Sequence, residues 1–148
     1  MSATNQFEDD LLDLIFTNVD APNVGDAAGL QNSAAAGSLH ISLHTGNSVS
    51  DTTTAQTASE AAYTNYARQA VARSTAQWTV SSGTVDNDNA ITFPQSGSGP
   101  ETETDVGIGF ALTGAGYMNI VGSLTSDLVV NNGVQPEFAA GALDVSLD

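Results

Sequence analysis

Leu39, Ile41 and Leu43 alternate with His40, Ser42 and His44, and Gly37 and Gly46 bracket the run. Apolar residues at every second position give a strand one dry face and one wet face. Nothing nearby offers the long crossover helix that a parallel sheet needs, so this run is expected as a central strand of an antiparallel sheet. Its apolar side should face a core, with His40, Ser42 and His44 on the wet side.

The same short-period pattern continues through the second half of the chain. Strands are expected at residues 77–80, 90–93, 104–111, 117–122, 128–130, 134–138 and 143–147, between turns rich in Gly, Pro, Asn and Ser. Thr113-Gly114-Ala115-Gly116 should close a hairpin, and Asn131-Asn132-Gly133 marks a further turn. Residues 67–74 fit a strand running on towards Trp78 better than the helix their alanines would allow, with at most a short helical turn at 58–63. A chain of 148 residues can bury one real core. The expectation is a mainly β, single-domain antiparallel β-sandwich, jelly-roll-like, over residues 37–148, preceded by an N-terminal helix and connecting arm over residues 1–36.

That helix rests on Phe7, Leu11, Leu14 and Ile15, spaced i, i+4, i+7 and i+8 as one apolar stripe. Asn5 is the expected cap, with Glu8 at the third helical position. The stripe would pack on its own sheet or dock on a neighbouring chain. Residues 46–59, nearly all small or polar, should form a long exposed loop that is either mobile or held by a partner.

Charge narrows the partners. Seventeen acidic residues against Arg68 and Arg73, with no lysine, leave a net charge of -15. Such a surface repels nucleic acid and anionic membranes, so neither is an expected partner. It suits a salty setting or a basic partner, and the sequence does not choose between them. With no cysteine, disulfides and thiolate metal sites are ruled out. Without a membrane-length apolar run or a basic N-terminal signal, a soluble protein made in a cytoplasm is expected.

No residue pattern recommends catalysis. His40 and His44 would lie about 13 Å apart on a strand, too far to share one zinc. No G-x-S-x-G elbow is present. Asp86-Asn87-Asp88-Asn89 lacks the later positions of a calcium loop and reads as a turn. Glu101, Glu103 and Asp105 should share a solvated strand edge, and Gly107 and Gly109 should mark close backbone packing rather than a phosphate loop. Each arginine should be committed to a carboxylate or a backbone acceptor. Trp78, Tyr63, Tyr66 and Phe93 should form core or a subunit contact. No catalytic residue, cofactor or metal set is expected.

Several segments together resemble a family of small tailed-bacteriophage virion proteins: residues 39–45, Glu60 to Arg68, Ala70 to Arg73, Trp78 to Val80, Ile91 to Pro94, Gly107-Ile108-Gly109, Gly122 to Thr125 and Pro136 to Gly141. The likeness spans roughly residues 7–147. Members are commonly labelled tail-fibre or structural proteins, and the chain also resembles capsid decoration proteins. The resemblance implies a β-rich virion component without catalytic residues. On this reading the first expectation is a capsid decoration (cement) protein, a homo-oligomer and foremost a trimer, bound to the major capsid protein outside the shell. The alternative is a tail-fibre or tail-tip component that recognises host-surface glycans, for which Tyr117 or Trp78 should face solvent. The residues expected at an interface are Phe7, Leu11, Leu14, Ile15, Tyr63, Tyr66, Arg68 and Arg73.

Overall fold

A computed structural model describes residues 2–147. As the alternating pattern requires, the chain is mainly β with antiparallel pairing, and the one α-helix among the described residues, α1 (Asn5–Leu12), lies near the N-terminus. Nine strands follow: β1 (Ser38–Thr45), β2 (Gln69–Ala72), β3 (Trp78–Ser81), β4 (Thr84–Asn87), β5 (Ile91–Thr92), β6 (Glu101–Gly109), β7 (Met118–Val130), β8 (Glu137–Phe138) and β9 (Asp144–Ser146). They form sheets of order β2-β1-β6-β7, β3-β4-β9 and β5-β8. The chain divides into two compact units. One gathers the residues up to Ser38, Ala72–Ile91 and everything from Phe138 onward; the other holds Leu39–Val71 and Thr92–Glu137.

In the first unit, α1 packs on β3 and β4 and continues into a π-helical turn, Asp13–Thr17. The face that goes inward is not the expected stripe. Leu12 and Phe16 are fully buried, whereas Leu11, Leu14 and Ile15 are half-buried and Phe7 is exposed. Phe16 sets its ring edge-on to Trp78, with centroids 4.9 Å apart, a favoured geometry for aromatic pairs. The helix cap also differs. Thr4 occupies the N-cap position without a side-chain bond, and Asn5 is already helical. Nearby, Asp9 accepts a hydrogen bond from the Gly83 amide at 2.6 Å. At the other end Arg73 donates to the carbonyls of Leu14, Ile15 and Ala36. It thus satisfies helix-end acceptors that have no partner within the helix. Asn87 organises the turn that follows β4: its Nδ2 donates to the Asn89 and Ala139 carbonyls, and its Oδ1 accepts from the Leu143 amide.

In the second unit β1 is central, as expected, and pairs antiparallel with β6 in the register Ile41–Ile108 and Leu43–Val106. Leu39, Ile41 and Leu43 are buried. The expected wet face, however, is dry at Ser42 and His44, both fully buried. Residues 55–60 cover it: His44 Nδ1 lies 2.8 Å from the Ala58 carbonyl and Nε2 lies 2.8 Å from Ser42 Oγ. A carbonyl only accepts, so Nδ1 carries the proton, and a neutral ring then accepts the serine hydroxyl at Nε2. Burial lowers the His44 pKa, in keeping with that neutral form.

Two glycines of β6 make room for this layer. A Cβ on Gly107 would sit 2.7 Å from His44 Nε2 and 2.9 Å from Ser42 Oγ, and would also collide with Met118. A Cβ on Gly109 would strike the side chain of Gln56. Close packing is therefore the role of both, as the sequence reading held.

The solvated acidic edge is overturned. Glu103 and Asp105 are buried, and a register shift between them breaks the simple alternation. Glu101 accepts from the Ala62 amide, and Asp105 accepts from the hydroxyls of Thr104 and Ser123. Both Glu103 oxygens are buried without a hydrogen-bond partner. Burial, with Glu101 nearby, pushes the Glu103 pKa up to about 7.

Candidate functional site

Residues 110–117, between β6 and β7, are an eight-residue stretch with no charge, Phe-Ala-Leu-Thr-Gly-Ala-Gly-Tyr. Glycines at two of four consecutive turn positions, Gly114 and Gly116, would ordinarily leave such a stretch loose, but two side chains of the same unit clamp it. Gln56, fully buried, accepts the Ala111 amide on Oε1 at 3.1 Å and donates from Nε2 to the His40 carbonyl. The Gln56 amide reaches the carbonyls of Ala115 and Gly116. Arg68, also buried, donates from Nη1 to the Ala111 carbonyl and from Nη2 to the Gly114 carbonyl, both at 2.8 Å.

The guanidinium is itself oriented by Glu60, through Nε to Oε1 at 2.6 Å and Nη2 to Oε2 at 2.7 Å. Such a two-point pair fixes the plane of the arginine. Tyr66 donates its hydroxyl to Glu60 Oε1 and accepts the Leu43 amide, and burial raises its pKa. Tyr66 in turn packs edge-on to Tyr63, with centroids 5.3 Å apart, and parallel to Phe93. The loop's polar groups are thus spent inward while its large apolar side chains stand outward. Phe110 is 49% exposed, Leu112 55% and Tyr117 63%. Beside them Glu60, Tyr66, Arg68, Leu112 and Thr113 line an open recess of about 420 Å³.

Of the expected interface residues, the structure brings Tyr63, Tyr66 and Arg68 together under this loop and places Phe7, Leu11, Leu14, Ile15 and Arg73 in the first unit. Trp78 is buried, so of the two aromatic residues expected to face solvent only Tyr117 does. Gln56 and Leu112 went unnoticed in the sequence, and Phe110, expected within a strand over residues 104–111, lies just past the end of β6 and faces solvent. A glycine-rich turn flanked by three large apolar residues was their available signal.

The loop at residues 46–59 is not a free loop. Val49 and Gln56 are buried, the Met118 amide bonds the Thr54 carbonyl, and the Thr45 amide bonds the Ser59 carbonyl. The buried Ser42–His44 pair has the contact distance of a nucleophile and its base, but the histidine's other nitrogen is spent on a carbonyl. The nearest acid on the paired strand, Asp105, is held by Thr104 and Ser123. With no exposure at either residue, no substrate reaches the hydroxyl. Among the described residues no group of three or more His, Asp or Glu side chains is arranged to hold a metal ion.

The second unit thus presents, on a β scaffold, an uncharged loop whose large apolar side chains face solvent. By comparison with protein-family models, the chain belongs to the family described as podophage GP4 fiber I protein gp80, which matches residues 2–146. It is a structural component of a phage virion. Comparison with curated proteins returns no match.

Proposed function

We propose that this protein is a tail-fibre component that takes part in recognising the host surface, and that residues 110–117 make the contact. The observation that carries the reading is Tyr117, 63% exposed on a loop whose backbone is clamped by Gln56 and Arg68. A loop held rigid before contact loses little entropy on binding. An exposed tyrosine ring offers a flat apolar face and a hydroxyl, which suits the two-sided chemistry of a sugar ring. With both arginines spent on internal acceptors, the surface has no arginine or lysine to attract phosphate-rich ligands, so a neutral saccharide fits best. The fibre family supports this reading over decoration of the capsid shell.

Phage carrying Tyr117→Ala together with Leu112→Ser should assemble with normal content of this protein, yet adsorb to host cells at least about tenfold more slowly. Adsorption at the unaltered rate would contradict the assignment of the loop.

A further inference from the structure

β7 is the terminal strand of the four-stranded sheet, and its outer edge is bare. Among the described residues, positions 119–123 make no backbone hydrogen bond outside the ladder with β6. The nearest bridge on that side stops at Tyr117, which meets Ala55. Edge strands are ordinarily blunted by charge, proline or a bulge, because unpaired N–H and C=O groups recruit other strands. Asn-Ile-Val-Gly-Ser at 119–123 has none of the first two. Irregularities flank the run instead: Asn119 lies unpaired between the pairs Gly109–Met118 and Ile108–Ile120, and residues 124–127, which include the charged Asp127, lie between the pairs Asp105–Ser123 and Glu103–Leu128. Between them residues 120–123 stay in register and are left open.

Gly122 is the second observation. A glycine inside a strand costs stability, and is retained where a left-handed conformation or a close neighbour requires it. Neither holds within this chain. Gly122 has no positive φ, and a Cβ built on it would meet nothing within 4 Å. The missing side chain makes sense if the neighbour is a strand from outside, whose own side chain covers the glycine.

Charge identifies the neighbour. A cationic partner would be drawn to the acidic parts of a chain of net charge -15, not to four uncharged residues. A second copy, repelled everywhere else, can approach where neither copy bears charge. Antiparallel pairing is also self-complementary in its backbone groups about a two-fold axis. We propose that the edge of β7 at residues 120–123 pairs antiparallel with the same edge of a second copy, about a two-fold axis near Gly122. This contact goes beyond host recognition and does not depend on it.

The sign of the salt dependence is diagnostic. Self-association of two anionic chains strengthens as salt screens their repulsion, whereas a contact between opposite charges weakens. Sedimentation of the full chain at 50 mM and 500 mM NaCl should show dimers, with association at least about tenfold tighter at high salt. Gly122→Val should leave the thermal midpoint equal or higher, because the site is open and valine favours strands, yet leave the protein monomeric. Val121→Asp should do the same to association by placing like charges across the axis. Hydrogen exchange at 120–123 should slow on dimerisation. A monomer at 500 mM NaCl and millimolar protein, or dimers unchanged by both substitutions, would overturn the proposal. Host adsorption of the Tyr117 variant is a separate readout, so the two proposals fail independently.

Discussion

Arg68 grips Glu60 with two parallel hydrogen bonds, Nε to Oε1 at 2.6 Å and Nη2 to Oε2 at 2.7 Å, and donates two more to the carbonyls of Ala111 and Gly114. One side chain thus joins an acid that precedes β2 to a loop that follows β6. A lysine has the charge but not the planar fork, and cannot serve three acceptors in those directions. Arg68→Lys should cost about 3 kcal/mol in urea unfolding, the scale for breaking a buried pair. The amides of residues 111–117 should then exchange faster than those of β1. Unchanged protection of that loop would mean that Gln56 alone holds it.

Gly107 is a tight point of the β1–β6 ladder, because a side chain there would enter the space of the Ser42–His44 hydrogen bond. Gly107→Ala should destabilise the protein by about 1–3 kcal/mol, the range for overpacking a filled core. A thermal midpoint equal to the parent's would contradict the packing described for β6.

Glu103 and His44 give stability a pH profile with two falling sides. Glu103 has its pKa raised from 4.5 to about 7, so the folded state holds a proton that the unfolded chain releases earlier. Stability from this group is present at low pH and is lost as pH rises from about 4.5 through about 7. His44 has its pKa lowered from 6.5 by burial, so its contribution is lost as pH falls below 6.5. Glu103→Gln should therefore raise stability at pH 8, by something on the order of 2 kcal/mol, and change it little at pH 4. Thermal melts of both proteins across pH 4–9 measure this. A variant no more stable than the parent at pH 8 would show that the buried carboxyl carries no penalty.

The strand pattern was legible wherever one local alternation decided the structure: β1, β3, β6, the start of β7 and β9 lie close to where Leu, Ile, Val and Phe alternate with small or polar residues. β4 escaped because Val85 is its only apolar residue. The second face of β1 was misread for a different reason. Ser42 and His44 are polar, and their burial depends on residues 55–60 arriving from elsewhere in the chain, which no local period encodes. The acidic run failed likewise, since the shift between Glu103 and Asp105 is set by pairing with β7. Helix α1 shows how a stripe can mislead: Leu12 and Phe16 are as apolar as Leu11 and Ile15, and only the position of β3 and β4 chose between the two faces. The scarcity of arginine implied that both are committed to internal acceptors, Arg68 at the candidate site and Arg73 in the first unit. Gln56 was not foreseen, because one glutamine among serines and threonines carries no signal until its amide is seen to bridge two strands' worth of backbone.

Placement on the particle tests the central claim most directly. Gold labelling of an epitope on this protein, with copies per virion counted by mass spectrometry, should put the label at the tail and give a few to tens of copies. Label spread over the capsid shell with hundreds of copies would contradict the fibre assignment and restore the decoration reading.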